Sequence, residues 1–394
     1  MTMATAPSPA PVPDGPPTRL DFLDWVRVGA FGLLIFYHIG MFYVSWDWHA
    51  KSGHASPWAE PLMMLSSPWR LTLLFLVSGI ATRFMLAKMS PGRLLRSRLA
   101  RLGIPLLFGM AVIVPPQSYV EVVEKIAYPG SYWEFWGQYL RFYQGFCRDG
   151  DCLILPTWNH LWFVAYLLVY TLILGAILIT NRDWSRLNPL FRWTEGPLLL
   201  ILPWLALAGL RLGLAPIFPI THALVDDWYN HALSFSAFLF GFVLARRIGV
   251  WENAQHLRWP ALILGLAAYA GLQLYYTTYA DRDPPETLRA AMRCVYAAQQ
   301  WGFILAILGF ARRHLNHRPP ILPYLSRGVF PFYILHQTVI VCAGHGLKQL
   351  GLPAGWEFIA LMAVTLAACL GGYEIIRRVP LLRPLFGLPY TQLP

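Results

Sequence analysis

Residues 25–46 read WVRVGAFGLLIFYHIGMFYVSW, and this stretch decides the fold. It is long and apolar enough to cross a bilayer, which takes about 20 such residues. Its basic side chains are Arg27 and His38. Ionisable groups inside a span are costly and usually face a cavity or the bundle interior. Eleven positions are close to three helical turns, so the two side chains share a face, roughly 16 Å apart along the axis. A fixed cation near one membrane face and a titratable imidazole deeper in the span suit an anionic ligand held at one end and proton transfer at the other. The bland alternatives are an Arg27 that snorkels to headgroups or pairs with Asp24 one turn earlier, and a His38 bonded between helices.

Working outward, the chain has 394 residues, of which 56% are hydrophobic and 13% charged. A soluble domain averages about 25% charged. The reading is an all-α polytopic membrane protein. Ten apolar segments cover about 22–46, 68–88, 102–123, 158–180, 197–215, 231–250, 259–280, 291–311, 328–349 and 356–376. With the N-terminus inside and the spans alternating, 18 Lys and Arg fall in inside loops and seven in outside loops. That bias predicts both termini in the cytoplasm and a multi-pass protein of the cell inner membrane. It also accounts for the net charge of +11 without nucleic acid. Residues 1–18, MTMATAPSPAPVPDGPPT, read as a disordered Pro/Ala-rich tail. They lack the basic start and apolar centre of a secretory signal, so the first span is expected to remain as an anchor. Residues 19–380 form the ten-span membrane domain and 381–394 a cytoplasmic C-terminal tail.

A second buried imidazole is expected in FPFYILHQTVIV, where His336 follows Tyr333 by one turn and Pro331 opens the helix locally. His38 and His336 either share one cavity or serve unrelated sites. The loop KMSPGRLLRSRLARLGIP carries Arg98 and Arg101 among five basic residues. Topology explains most of them; the sharper reading is a phosphate-binding patch, since Arg contacts phosphate bidentately. Asn159 and His160 open the fourth span at its outer end. His222, Asp226, Asp227 and His231 cluster in THALVDDWYNHA, but their spacing matches no zinc pattern, and no metal is expected. SYWEFWGQYLRFYQGF (131–146) reads as a helix in the outer interface, either an aromatic belt or a stacking platform for sugar rings. Cys147 and Cys152 flank a turn-forming tetrapeptide; a disulfide and two free thiols are both open readings. Cys294, Cys342 and Cys369 lie in apolar spans as small buried side chains.

These residues resemble the acyltransferase-3 family of integral membrane acyltransferases, and within it the glucan-modifying branch, over about residues 19–380. LDFLDWVRVGAFGLLIFYH is similar to the family's first-span Arg-x10-His pattern through Arg27 and His38. FLVSGIA, with Ser78 and Gly79, is similar to its second-span motif. Arg98-Leu-Ala-Arg101 followed by Pro105 resembles its Arg-x-x-Arg loop. HLWFVAYLL around Trp162 and SRGVFPFYILHQT around His336 look like the branch's motifs in spans 4 and 9. Each motif is weak alone; five in order are specific. The resemblance implies transfer of an acetyl or succinyl group from cytoplasmic acyl-CoA, as co-substrate, to a carbohydrate or glucan hydroxyl at the outer face. It places His38 and His336 in catalysis, Arg27, Arg98, Arg101 and Ser78 on the donor, and Trp162, His160 and Tyr333 on the acceptor. His38 suits a general base at neutral pH, and a transient acyl-histidine is the other mechanism. The chain lacks the esterase-like domain appended in many relatives, so a separate periplasmic glycan-processing partner is expected. The competing reading is a transporter of a small anionic solute, which ten spans with intramembrane Arg and His also suit. Against it stand the lack of an internal repeat and the near absence of carboxylates in the spans.

Overall fold

The computed structural model describes residues 20–180 and 185–390; the first-tail expectation lies outside them. Every apolar stretch read from the sequence is helical. The chain runs through α1 (Asp21–Tyr43), α2 (Glu60–Ser66), α3 (Arg70–Leu86), α4 (Pro91–Arg98), α5 (Ile104–Phe108), α6 (Pro115–Ile126) and α7 (Tyr132–Leu140). A short antiparallel hairpin follows, β1 (Cys147–Arg148) and β2 (Asp151–Cys152). Then come α8 (Trp162–Thr180), α9 (Leu198–Gly213), α10 (Trp228–Leu244), α11 (Ile248–Thr278), α12 (Glu286–His314), α13 (Ile321–Lys348), α14 (Ala354–Arg378) and α15 (Leu382–Leu385). Among the described residues, seven helices are long and apolar enough to cross a membrane: Asp21–Tyr43, Pro57–Leu86, Pro91–Ile126, Asn159–Thr180, Ile248–Thr278, Glu286–His314 and Ala354–Arg378. The protein is therefore a multi-pass membrane protein of all-α type. α9, α10 and α13 occupy the three remaining apolar stretches and fall short of that standard in length or hydropathy.

The helix pairs that position the site are held by small residues. Gly79 of α3 lies against the Phe238 carbonyl of α10, and Gly241 of α10 against the Leu76 carbonyl of α3, so a Cβ at either place would overlap the facing backbone. Close approach through small residues is how helices associate where lipid removes the hydrophobic drive. α1 and α13 run parallel: Arg27 meets Ser326, His38 meets His336, and Phe42 packs on Gly344. This pairing puts the histidines of two distant segments in contact. Pro91–Ile126 is one helical run widened by π-turns at Leu99–Gly103 and Gly109–Ile113.

The loop after α1 folds back over that helix's C-terminus. Lys51 donates to the Met41 and Val44 carbonyls at 2.6 and 2.5 Å, satisfying carbonyls that the helix end leaves open. Burial lowers the Lys51 ammonium to about 8. Ser52 donates to the buried Glu357 of α14 at 2.5 Å, fixing the loop's far side. At the same end of the molecule, α7 begins with a Ser131–Glu134 capping box. Its Phe135 and Tyr139 bury into a small core with Val122, Phe146 and Leu155, while Trp133 and Phe142 are exposed. Cys147 and Cys152 are bridged. Of the other cysteines Cys369 is buried and Cys294 partly so; Cys342 is exposed on its helix, contrary to the buried expectation, because it faces away from the packed side of α13. Arg383 in the C-terminal segment is buried and donates to the Arg377 carbonyl at 2.9 Å.

Candidate active site

A cavity of about 480 Å³ opens among α1, α3, the α1–α2 loop, the N-terminus of α8, the loop before α10, and α13. That is the size of an ordinary small-molecule site. Of the residues singled out in the sequence, His38, Asn159, His160, Trp162, His222 and Tyr333 line it. His336 sits fully buried just behind, bonded to His38.

The hydrogen bonds fix what each imidazole can do. His336 Nδ1 lies 2.7 Å from the Tyr333 carbonyl, one turn back on its own helix, so that nitrogen carries the proton and donates. His336 Nε2 is then a lone-pair acceptor. His38 Nδ1 lies 2.7 Å from it and must be the donor. This assignment follows from the network, the only route to it without visible hydrogens. It leaves His38 Nε2 unprotonated, with no bond to any described residue, on a side chain that lines the cavity. A base whose far nitrogen is oriented by a second acceptor is the arrangement of a catalytic relay. The ring is held in plane by Trp48, stacked at 6.4 Å and 10°.

A second polar network radiates from the buried Gln117. Its Oε1 accepts from Asn159 at 3.1 Å and from Gln337 at 3.0 Å; its Nε2 donates to Thr338 at 2.6 Å and faces His160 Nδ1 at 3.4 Å. His160 Nε2 donates to the Ile334 carbonyl at 3.1 Å. Tyr333 donates its hydroxyl to the His160 carbonyl. Trp162 stacks on His222, which joins the wall from the loop before α10. His49, also lining the cavity, bonds Glu121 at 2.5 Å through Nδ1 and takes a hydrogen bond from Gln337 at 3.0 Å through Nε2. Lys125 braces Glu121 at 3.0 Å and Asp47 at 2.9 Å.

The arginines gather elsewhere. Arg27 donates to the Ser326 carbonyl at 3.0 Å and lies 3.5 Å from Asp24. Arg98 donates to Thr82 at 2.9 Å, and Arg101 to the Gly387 carbonyl at 3.3 Å. The three guanidinium groups interact electrostatically with one another. Arg27 and Arg98 each keep a buried Nε with no partner among the described residues. Ser78 joins this cluster through its carbonyl, which accepts from Thr82 at 2.8 Å. Between the arginines and the cavity lies a layer of rings. Phe31, one turn beyond Arg27, meets Tyr333 and Phe163 edge-on at 5.5 and 6.4 Å, and Phe163 meets Tyr333 at 6.1 Å. Phe163 and Tyr333 form the cavity floor, and none of Arg27, Arg98, Arg101 or Ser78 lines the cavity.

The remaining candidates resolve into structure. The Asp227 carboxylate accepts from the backbone of Thr221 and His222 at 3.1 Å each, from Tyr166 at 2.5 Å and from Asn230 at 2.8 Å. His231 stacks on Tyr166 and bonds Tyr170 at 2.9 Å. None of the aromatic residues of α7 lines the cavity. The sequence reading missed His49, Glu121 and Arg70. A histidine in a loop has no pattern to distinguish it. Arg70 did have one: it is a charged residue near the start of an apolar stretch, the kind of position that marks function.

With this geometry in place, the comparisons assign the class. The acyltransferase-3 family, described as an acyltransferase domain, matches residues 20–374, and the chain belongs to it. The protein is thus an acyltransferase. It is 22% identical over 386 residues to the glucans biosynthesis protein C of Escherichia coli (strain K12), covering 94% of this chain and 95% of that protein. The likeness to the protein of that name in Shigella dysenteriae serotype 1 (strain Sd197) is also 22%, over 390 residues and the same shares. No solved structure matches the chain.

Proposed function

We propose that the protein moves an acyl group, acetyl or succinyl, from a cytoplasmic acyl-CoA to a carbohydrate hydroxyl at the outer face of the cell inner membrane. The observation that carries this reading is the His38–His336–Tyr333 carbonyl relay, which leaves one imidazole nitrogen unprotonated on the cavity wall. In this reading His38 Nε2 takes the proton of the attacking hydroxyl, and His336 accepts the hydrogen bond of the imidazolium that results. Arg27, Arg98 and Arg101 hold the phosphates or pantetheine amides of the donor at the opposite end. The Nε groups of Arg27 and Arg98, which bond to no described residue, leave hydrogen-bonding capacity for such a ligand. Ser78 contributes backbone support to that donor site. The pantetheine arm must pass Phe31, Phe163 and Tyr333, so those rings part when donor enters. His160 and Trp162 shape the acceptor pocket, and Tyr333 closes its floor.

A glucan acceptor rests on the names of the relatives, and a separate periplasmic glycan-processing partner would act after transfer. The ten-span topology with both termini cytoplasmic keeps the arginine end inside and the histidine end outside. The parallel run of α1 and α13 agrees with it, as odd-numbered spans share a direction. Cysteines introduced at positions 90 and 315 should label from the cytoplasmic side; labelling from outside would overturn the orientation.

The deciding experiment incubates the purified protein with acetyl-CoA or succinyl-CoA and measures free thiol, with and without glucan. Glucan-stimulated thiol release and acylated glucan are expected. Solute flux across proteoliposomes with no thioester cleavage would establish the transporter reading instead.

A further inference from the structure

The cavity holds a cation for which nothing above has given a reason. Arg70, the first residue of α3, is only 6% exposed and lines the cavity. Its Nε and Nη1 are buried and bond to no described residue. Its guanidinium lies over the face of Tyr37, 3.2 Å from the ring centroid. That contact stabilises a desolvated cation but leaves Nε and Nη1 without an acceptor among the described residues. Asp47, the one acidic residue among the described residues that line the cavity, is 86% exposed and is held by Lys125. A buried charge without a partner is strongly destabilising. An arrangement that keeps one open to a cavity is complete only when an anion arrives there.

The position of Arg70 says which anion. Tyr37, whose ring supports it, is the chain neighbour of His38, and their rings lie 6.0 Å apart. The base and the cation therefore flank one part of the cavity, on α1 and α3. We propose that Arg70 is a catalytic residue that receives the negative charge developing on the thioester carbonyl oxygen during acyl transfer. This rests on the function proposed above and deepens it. The acceptor oxygen bonds to the carbonyl carbon while its proton passes to His38 Nε2. The carbonyl π electrons move onto oxygen, and that oxyanion pairs with Arg70. As the carbonyl re-forms, the C–S bond breaks and the thiolate leaves, taking the proton from the His38 imidazolium. The products are the acyl ester and free thiol. A donor fixed in place before the charge appears acts without reorganisation, which is why such groups contribute heavily to rate.

The test measures steady-state acyl transfer to glucan by the full-length protein, with acetyl-CoA and succinyl-CoA each varied. Arg70→Met keeps an unbranched apolar stem and removes the guanidinium and its charge. It should lower kcat by roughly 100- to 1,000-fold with both donors, with little change in KM for either. Arg70→Lys should recover only part of kcat, since a point charge does not reproduce the planar fork. If Arg70→Met does not give a monodisperse protein, Arg70→Lys decides: a lowered kcat at unchanged KM supports the assignment and a wild-type kcat overturns it. A loss confined to succinyl-CoA, seen as a raised KM, would overturn it as well, because Arg70 would then read a carboxylate on the acyl group. A wild-type protein that releases no thiol from either donor would sink the acyltransfer reading itself, whereas active wild type with equally active variants would sink only the role of Arg70.

Discussion

The two ends of the bundle solve opposite problems. At the arginine end, Arg27, Arg98 and Arg101 are tied down by carbonyls and a threonine hydroxyl, with Asp24 at 3.5 Å from Arg27. Donors remain open there. At the histidine end, the imidazoles of His38, His336, His160 and His49 and the amides of Gln117 and Gln337 are bonded so that donor and acceptor roles follow from one another. In the function proposed above, the first end binds an anion of variable pose. The second is built to hold a proton-accepting nitrogen in one place. Between them, the contacting rings of Phe31, Phe163 and Tyr333 form an apolar layer that separates the cavity from the arginines. A reaction whose donor and acceptor come from opposite sides needs that separation.

If this division holds, the largest effect belongs to His38. His38→Ala should lower transfer by about 100- to 10,000-fold, the usual cost of losing a general base, in a protein that still inserts and folds. Wild-type turnover by a folded variant would erase the distinction between the ends. His336→Gln should cost less, roughly 10- to 100-fold, because it weakens one charge-assisted hydrogen bond to the imidazolium, worth about 1.5–3 kcal/mol. The readout is kcat at saturating donor. An effect on donor KM instead would move His336 out of the relay.

Arg27→Ala should act on binding. Losing a hydrogen bond from a charged group, about 1.5–3 kcal/mol, should raise the acyl-CoA KM by one to two decades with little change in the KM for glucan. Arg27→Lys should rescue it only in part. If Arg27 merely anchors α1 to headgroups or pairs with Asp24, Lys restores full activity and the donor KM does not move.

The smallest effect concerns the loop that carries Trp48 and His49 over the cavity. Lys51→Met removes two hydrogen bonds to the end of α1 and should lower thermal stability in detergent by roughly 1–3 kcal/mol. Its pH dependence has a definite sign. Burial lowers the folded-state ammonium to about 8, below its unfolded value. The folded protein therefore bears the cost of a buried charge below that pH and is relieved of it as pH rises toward the unfolded value, while the neutral amine still donates. The stability advantage of wild type over Lys51→Met should grow from pH 8 to pH 10. An advantage that shrinks over that range would refute the burial argument.

Much of this was legible in the sequence because membranes penalise polar groups. Arg27, His38 and His336 stand out against apolar helices, and their face and depth follow from helical periodicity. The helices themselves follow from hydropathy. What periodicity along one helix cannot report is which helices meet. The contact between His38 and His336 depends on α1 and α13 running side by side, and these are nearly 300 residues apart. Nor does it report loops: His49 reaches the cavity only because Lys51 and Ser52 pin its loop back over α1 and against Glu357. Nor does a shared helix face amount to an open passage between Arg27 and His38. Phe31 lies between the two residues on that helix, and its ring closes the way.

The claim that binding and chemistry occupy separate ends is tested most directly by titrating a non-transferable acyl-CoA analogue, with the thioester sulfur replaced by methylene, into the purified wild type, His38→Ala and Arg27→Ala. The account predicts wild-type affinity for the inactive His38→Ala protein and affinity weakened by one to two decades for Arg27→Ala. Analogue affinity lost with His38 and retained without Arg27 would contradict it.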